Sequence, residues 1–238
     1  MHSNSSLITK ALGVLITGLL SLSFPAHAGQ QMEKSELISA LKKGGYVIYL
    51  RHAATNTNTA DTKRDDLNDW TKQRNLSELG RYQSVAIGQA FDALGIPVSE
   101  VITSPYCRCV ETAKLAFGKA RVSNDLAFSI GTKEQEAKRL AQALRKMLGT
   151  RPPADTNTVL VAHTANLKEA AQIWPKPEGV AFIFKPLGNN TFEMVSRIEP
   201  QQWPELAEKM GVPIAPNQQM SPLPDRALLC GRQDASIH

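Results

Sequence analysis

Val47-Ile48-Tyr49-Leu50-Arg51-His52 and Val159-Leu160-Val161-Ala162-His163 are two short, strongly apolar runs, and each ends on a histidine. Such runs, bounded by polar residues, read as strands buried on both faces, which is the habit of parallel sheets. In open α/β sheets, ligands bind just beyond the carboxyl ends of the strands. The two imidazoles, one directly preceded by Arg51, are therefore expected to converge at one sheet edge. A lone histidine is more often a satisfied core residue, and it is the repeated placement that favours a site. His2, His27 and His238 lie close to the two ends of the chain.

Working outward, helical and strand patterns alternate. Residues 33–43 carry Leu37, Ile38 and Leu41 on one helical stripe, which stops at Gly44-Gly45. The polar stretch from Asn56 to Arg74 reads as a long loop that would shape substrate choice. Ser77 is expected to cap a helix with Leu79, Tyr82, Val85, Ala86 and Ala90 on its apolar side, ending at Gly95-Ile96-Pro97. Val101-Ile102-Thr103 is a further strand, after which Ser104-Pro105 suits an N-cap and first helical position. Thr132 and Gln135 form a capping box for a helix reaching about Leu148. A helix is expected near 166–173, and two late strands, 180–184 and 191–198, meet around Gly188-Asn189. Repeated strand-then-helix units imply an α/β fold, a parallel sheet with helices on both faces. The segment 201–238 holds Pro204, Pro213, Pro216, Pro222 and Pro224 and is expected to pack on the domain in extended form or to be partly disordered.

The first residues have a different character. Lys10 precedes the apolar run Ala11–Leu20, and Ala26-His27-Ala28 places small residues where a signal peptidase reads. This is the pattern of a signal peptide cleaved after Ala28, so a periplasmic or secreted protein is expected. The apolar run is too short to span a bilayer comfortably, so no stable membrane insertion is expected after cleavage. The formal charge of +5 is modest, and no basic run or stripe suggests nucleic acid as a partner. A positive excess does favour anionic substrates.

A third element, Thr103-Ser104-Pro105-Tyr106-Cys107-Arg108-Cys109, again follows a strand and opens a helix, which brings Arg108 to the edge that holds the histidines. Arg51, His52, Arg108 and His163 together supply two guanidinium forks and two imidazoles. Guanidinium matches phosphate bidentately and stays charged. A neutral imidazole is a competent nucleophile, and phosphoryl transfer mainly needs positioning and neutralisation of the equatorial oxygens. Helix N-termini after both histidines would add backbone donors for an anion. With no carboxylates at metal-ligand spacing, a site without metal or other cofactor is the simpler expectation.

At these residues the chain resembles the histidine phosphatase (phosphoglycerate mutase-like) superfamily. Arg51-His52-Ala53-Ala54-Thr55 is similar to the family's Arg-His-Gly opening, with Ala53 in place of the usual glycine. Leu76-Ser77-Glu78-Leu79-Gly80 resembles its Leu-Ser-x-x-Gly segment, and Ser104–Ala113 the segment that carries its second arginine. Val161-Ala162-His163 resembles its final histidine strand. The resemblance spans about residues 34–200 and implies a Rossmann-like three-layer α/β/α sandwich with a mostly parallel sheet. Together with the leader pattern and the proline content, this gives an expected signal peptide (1–28), histidine phosphatase domain (29–200) and proline-rich tail (201–238). The resemblance also implies a metal-independent phosphomonoesterase in which His52 attacks phosphorus while Arg51, Arg108 and His163 hold the phosphoryl oxygens. Thr55 and Asn58 match positions that touch phosphate in relatives.

The general acid is less sharply defined. By family spacing Glu134 is the candidate, with Glu136 beside it and Asp61, Asp65 and Asp66 as loop rivals, whereas Glu111 reads as a solvated helix residue. Glu134 at a helix start would be stabilised as a carboxylate, which disfavours a proton donor. Two alternatives to the phosphatase stand: a non-catalytic binder of a phosphate ligand, and a phosphoryl-transferring mutase. The expected partner is a small phosphorylated substrate, with an envelope sugar phosphate as one candidate by analogy. A cysteine-phosphatase reading of Cys107 or Cys109 fails, because Ala113 and Leu115 stand where an arginine is needed. Export would allow a disulfide. Helical spacing sets Cys107 on the face away from Ala113 and Ala116, so a Cys107–Cys230 bridge with Cys109 free and buried is expected.

Overall fold

A computed structural model describes residues 32–63, 66–212 and 222–231. The signal peptide, its cleavage site, Asp65 and His238 lie outside the described residues. Six strands form one sheet in the order β3-β2-β4-β1-β5-β6: β1 (Val47–Arg51), β2 (Val98–Thr103), β3 (Arg121–Val122), β4 (Asn157–Ala162), β5 (Ala181–Gly188) and β6 (Thr191–Ile198). The β3-β2, β2-β4 and β4-β1 pairs are parallel, and β5 runs antiparallel to both β1 and β6. The fold is mixed α/β with a mostly parallel sheet. The β5–β6 turn uses Asn189 and Asn190 at positive φ, which asparagine tolerates better than most residues.

Alternate strand residues serve opposite faces, as a two-residue period requires. Ile48, Leu50, Val159, Val161 and Ile183 pack with helices α1 (Lys34–Lys43), α2 (Glu78–Leu94), α3 (Cys107–Phe117) and α6 (Gln202–Lys209). Val47, Tyr49, Leu160, Ala162 and Phe182 pack with α4 (Glu134–Leu148) and α5 (Thr164–Ala171) on the other face. Helices therefore cover both sides of the sheet.

Local details depart from the sequence expectations. The buried face of α2 is Gly80, Ser84, Ile87, Gly88, Ala90, Phe91 and Leu94, so Ala90 is buried as expected, while Leu79 is 60% exposed. A Cβ on Gly80 would lie 1.9 Å from the carbonyl oxygen of Ala54, and one on Gly88 1.9 Å from that of Ala116. The inward face thus combines close backbone approach at Gly80 and Gly88 with the apolar side chains of Ile87, Phe91 and Leu94. Ser77 does cap α2, accepting from the Gly80 N–H at 3.2 Å. Thr132 does not cap α4: Lys133 holds that position, and the Thr132 hydroxyl donates to the Ser129 carbonyl at 2.7 Å. Residues beyond 200 are not only extended, since α6 buries Trp203 in the core beside Phe91 and α7 (Arg226–Cys230) lies on α3.

The Cys107–Cys230 disulfide joins α3 to α7, and Cys109 is free and buried. Glu111 overturns the solvated reading. It is fully buried, with Arg81 Nε 2.7 Å from one oxygen and Arg226 Nε donating to the other at 2.8 Å. A buried carboxylate needs such partners.

Candidate active site

Strands β1 and β4 are parallel neighbours in a register that pairs Arg51 with Ala162. The next residues, His52 and His163, therefore emerge side by side at the carboxyl edge, and the His52 N–H donates to the Ala162 carbonyl at 3.0 Å. The ring centroids lie 5.4 Å apart and both rings are buried. His52 Nδ1 lies 3.0 Å from the carbonyl oxygen of Ala53. A carbonyl only accepts, so Nδ1 carries the proton and Nε2 keeps its lone pair. Burial, then the charge of Arg108, holds His52 well below the ordinary imidazole range. The same two causes, followed by His52, act in the same direction on His163. Both rings are neutral at pH 7, the form in which imidazole is a nucleophile.

Ser104 does not cap α3, whose N-cap is Tyr106. Its hydroxyl instead lies 2.8 Å from His163 Nε2. The Tyr49 hydroxyl donates to the His163 carbonyl at 2.5 Å, and the rings of Tyr106 and Phe128 flank the imidazole, each 5.1 Å away. Cys109 Sγ lies 3.6 Å from His163 Nε2, and burial pushes this thiol up to about 12, so it stays protonated.

The arginines come from different elements. Arg108 is the second residue of α3, and its guanidinium lies over the Tyr106 ring at 4.5 Å. Its Nη1 donates to Asp61 at 2.9 Å. Arg51 donates through Nη1 to the Pro175 carbonyl and through Nη2 to Glu178, both at 3.0 Å. The Nε atoms of Arg51 and Arg108 are buried and have no hydrogen-bond partner among the described residues. Such orphaned donors are costly unless something accepts from them. The Ala53 N–H donates to Thr112 Oγ1, which donates in turn to the Arg108 carbonyl, tying the two arginine segments together. α5 starts directly after His163, but no helix follows His52. Thr55 instead bridges to Leu76.

Thr55 is buried at this edge, where its N–H and hydroxyl both bond Glu178. Asn58 is exposed in the loop, where its N–H donates to the Asn56 side chain at 3.0 Å. Glu134 stands on the solvent side of α4, 81% exposed and 2.6 Å from Lys138. Glu136 pairs with Arg139, a hydrogen bond that holds its carboxyl below the usual range, the reverse of what a proton donor needs. The sequence reading of Glu134 is thus corrected. The carboxylates at the site are Asp61, which that reading did include, and Glu178, which it missed. Among the described residues no group of three or more side chains could hold a metal ion.

Residues 47–127 match the sequence model of the histidine phosphatase superfamily (branch 1), and this stretch holds Arg51, His52 and Arg108. Over these residues the chain is similar to that superfamily. It is similar in structure to a mycobacterial glucosyl-3-phosphoglycerate phosphatase with inorganic phosphate (15% identity, 66% of this chain and 99% of that one, TM-score 0.48). It is also similar to a phosphoserine phosphatase mutant from Entamoeba histolytica (13% identity, 66% and 98%, TM-score 0.46). A putative phosphohistidine phosphatase, SixA from Agrobacterium tumefaciens, is a third (15% identity, 66% and 99%, TM-score 0.45). No curated protein matches the chain.

Proposed function

We propose that this protein is an exported phosphomonoesterase that hydrolyses small phosphate esters through a phosphohistidine on His52, with no metal. The observation that carries the reading is the pairing of two buried neutral imidazoles on adjacent strand ends with two guanidinium groups, each with an orphaned buried Nε donor. In this mechanism His52 Nε2 attacks phosphorus in line with the ester oxygen. Arg51 and Arg108 neutralise the equatorial oxygens as charge spreads over them, and neutral His163 donates a hydrogen bond to one of them. Preorganisation comes from the β1–β4 register and the Ala53-Thr112-Arg108 chain of bonds. Water then releases phosphate from His52.

The test is turnover of a panel of phosphomonoesters, including sugar phosphates, with acid-stable and base-stable adducts separated after rapid quenching. A base-stable, acid-labile phosphoenzyme in the parent and its loss in His52→Ala are expected, with the activity of the folded variant down by several orders of magnitude. Near-normal turnover by that variant would sink the nucleophile assignment. Phosphate binding without turnover would favour the binder, and transfer to a second hydroxyl rather than to water would favour the mutase.

A further inference from the structure

Glu178 precedes β5, and backbone bonds hold its turn against the histidine strand. The Gly179 N–H donates to the His52 carbonyl at 2.9 Å and the Arg51 N–H to the Val180 carbonyl at 3.0 Å. The antiparallel β1–β5 pairing thus continues to the turn and sets Glu178 beside the Arg51-His52 pair. Its Oε1 accepts from Arg51 Nη2 and Thr55 Oγ1, both at 3.0 Å, and its Oε2 from the Thr55 N–H at 2.8 Å. Arg74 Nη2 lies 3.7 Å from Oε1. The carboxylate therefore shares the donors assigned above to phosphate, while its side chain stays 19% exposed at the open side of the cluster.

Resting on the phosphatase reading, we propose that Glu178 is the acid–base residue of the reaction. A phosphomonoester has a second pKa of about 6, so near neutral pH a share of it arrives as the monoanion with one proton. That proton passes to the Glu178 carboxylate. As the P–N bond to His52 Nε2 forms and the P–O ester bond breaks, Glu178 returns the proton to the leaving oxygen, releasing an alcohol. Water then attacks phosphorus, its proton goes to Glu178, and the P–N bond breaks to restore the neutral imidazole. Glu178 then gives that proton to the departing phosphate, which restores its carboxylate, and the net reaction is ester plus water to alcohol plus phosphate.

Asp61 is the alternative carboxylate, but its Oδ1 accepts from both Arg108 Nη1 and the Arg74 N–H, and its side chain is only 6% exposed. Both carboxylates are held by donors, so exposure separates them: the more enclosed Asp61 has less access to water for proton exchange.

The discriminating readout is dependence on the leaving group. General acid catalysis contributes about a hundredfold or more where the leaving oxygen needs a proton. Glu178→Gln is therefore expected to lower kcat/KM for glycerol phosphate by about that factor, and for p-nitrophenyl phosphate by only about tenfold or less, because nitrophenolate leaves unprotonated. Asp61→Asn should lower both substrates in the same proportion. Vanadate affinity of each variant reports whether the anion site is assembled. Equal losses for both esters in Glu178→Gln would overturn the assignment, whether or not vanadate still bound. So would the leaving-group pattern appearing in Asp61→Asn instead. A parent protein inactive on every ester would overturn the phosphatase reading and this inference with it, whereas an active parent isolates the failure to Glu178.

Discussion

Arg108 Nη1 donates to Asp61 Oδ1 at 2.9 Å, with the two side chains 1% and 6% exposed, so a charge that would serve phosphate is paired internally. Removing one partner of a buried pair strands the other, at a typical cost of about 3–5 kcal/mol. Asp61→Ala is therefore expected to lower the unfolding free energy by an amount of that order. Phosphate or vanadate should restore more stability to this variant than to the parent, because the anion replaces the lost partner. Denaturation curves with and without the anion check this. An equal gain in both proteins would place the anion elsewhere.

How much of this was legible in the sequence follows from the range of the interactions. His52 and His163 could be placed because each ends its own buried strand, and period and burial are local properties. The β5–β6 turn at Gly188-Asn189 was legible for the same reason. Glu178 was not, because its position depends on the β1–β5 register, and its carboxylate meets Thr55 at a sequence separation of 123. Glu111 was misread because one of its arginines, Arg226, comes from a separation of 115. The face of α2 was misjudged because Gly80 and Gly88, which carry no apolar side chain, make the close approach to Ala54 and Ala116. Ser104 carries a strong capping signal, yet its hydroxyl is used by His163 across the strand ends.

The proposed metal-independent mechanism makes a sharp chemical prediction. Activity should survive prolonged EDTA treatment, and vanadate or tungstate should inhibit competitively, since both mimic a five-coordinate phosphoryl group held between Arg51 and Arg108. Loss of turnover in EDTA with recovery on added zinc or magnesium would be the contrary result.

The buried imidazoles also set a pH dependence of stability. His52 and His163 are both held well below their ordinary value in the folded protein, chiefly by burial. The unfolded chain, with histidine near about 6.5, takes up protons first as the pH falls. Each histidine thus contributes stability that is present above about pH 6.5 and is lost progressively below it, toward the depressed folded value. Unfolding midpoints measured between neutral and mildly acidic pH should fall more steeply for the parent than for His52→Gln, which has no proton to gain there. Parallel curves would show that protonation of His52 does not limit acid stability.

The Cys107–Cys230 bridge closes a separation of 123 residues and lies one residue before Arg108, so its loss should touch both stability and the site. Around it, Lys114 Nζ donates to the Leu229 carbonyl at 2.7 Å, and Arg226 donates to both Glu111 and the Leu76 carbonyl at 2.8 Å. These bonds dock α7 on α3, but the helix has only five residues and no buried ones, which gives it little hold of its own. The bridge is expected to contribute about 2–4 kcal/mol, chiefly by restricting the unfolded chain. Cys230→Ser should lower the unfolding free energy by that order. It should also free α7, leaving Glu111 buried with Arg81 alone and weakening the α3 frame that holds Arg108. Peptide mapping without reductant should recover the 107–230 crosslink with Cys109 as the sole thiol. Three titratable thiols in the unfolded, unreduced protein would rule the bridge out.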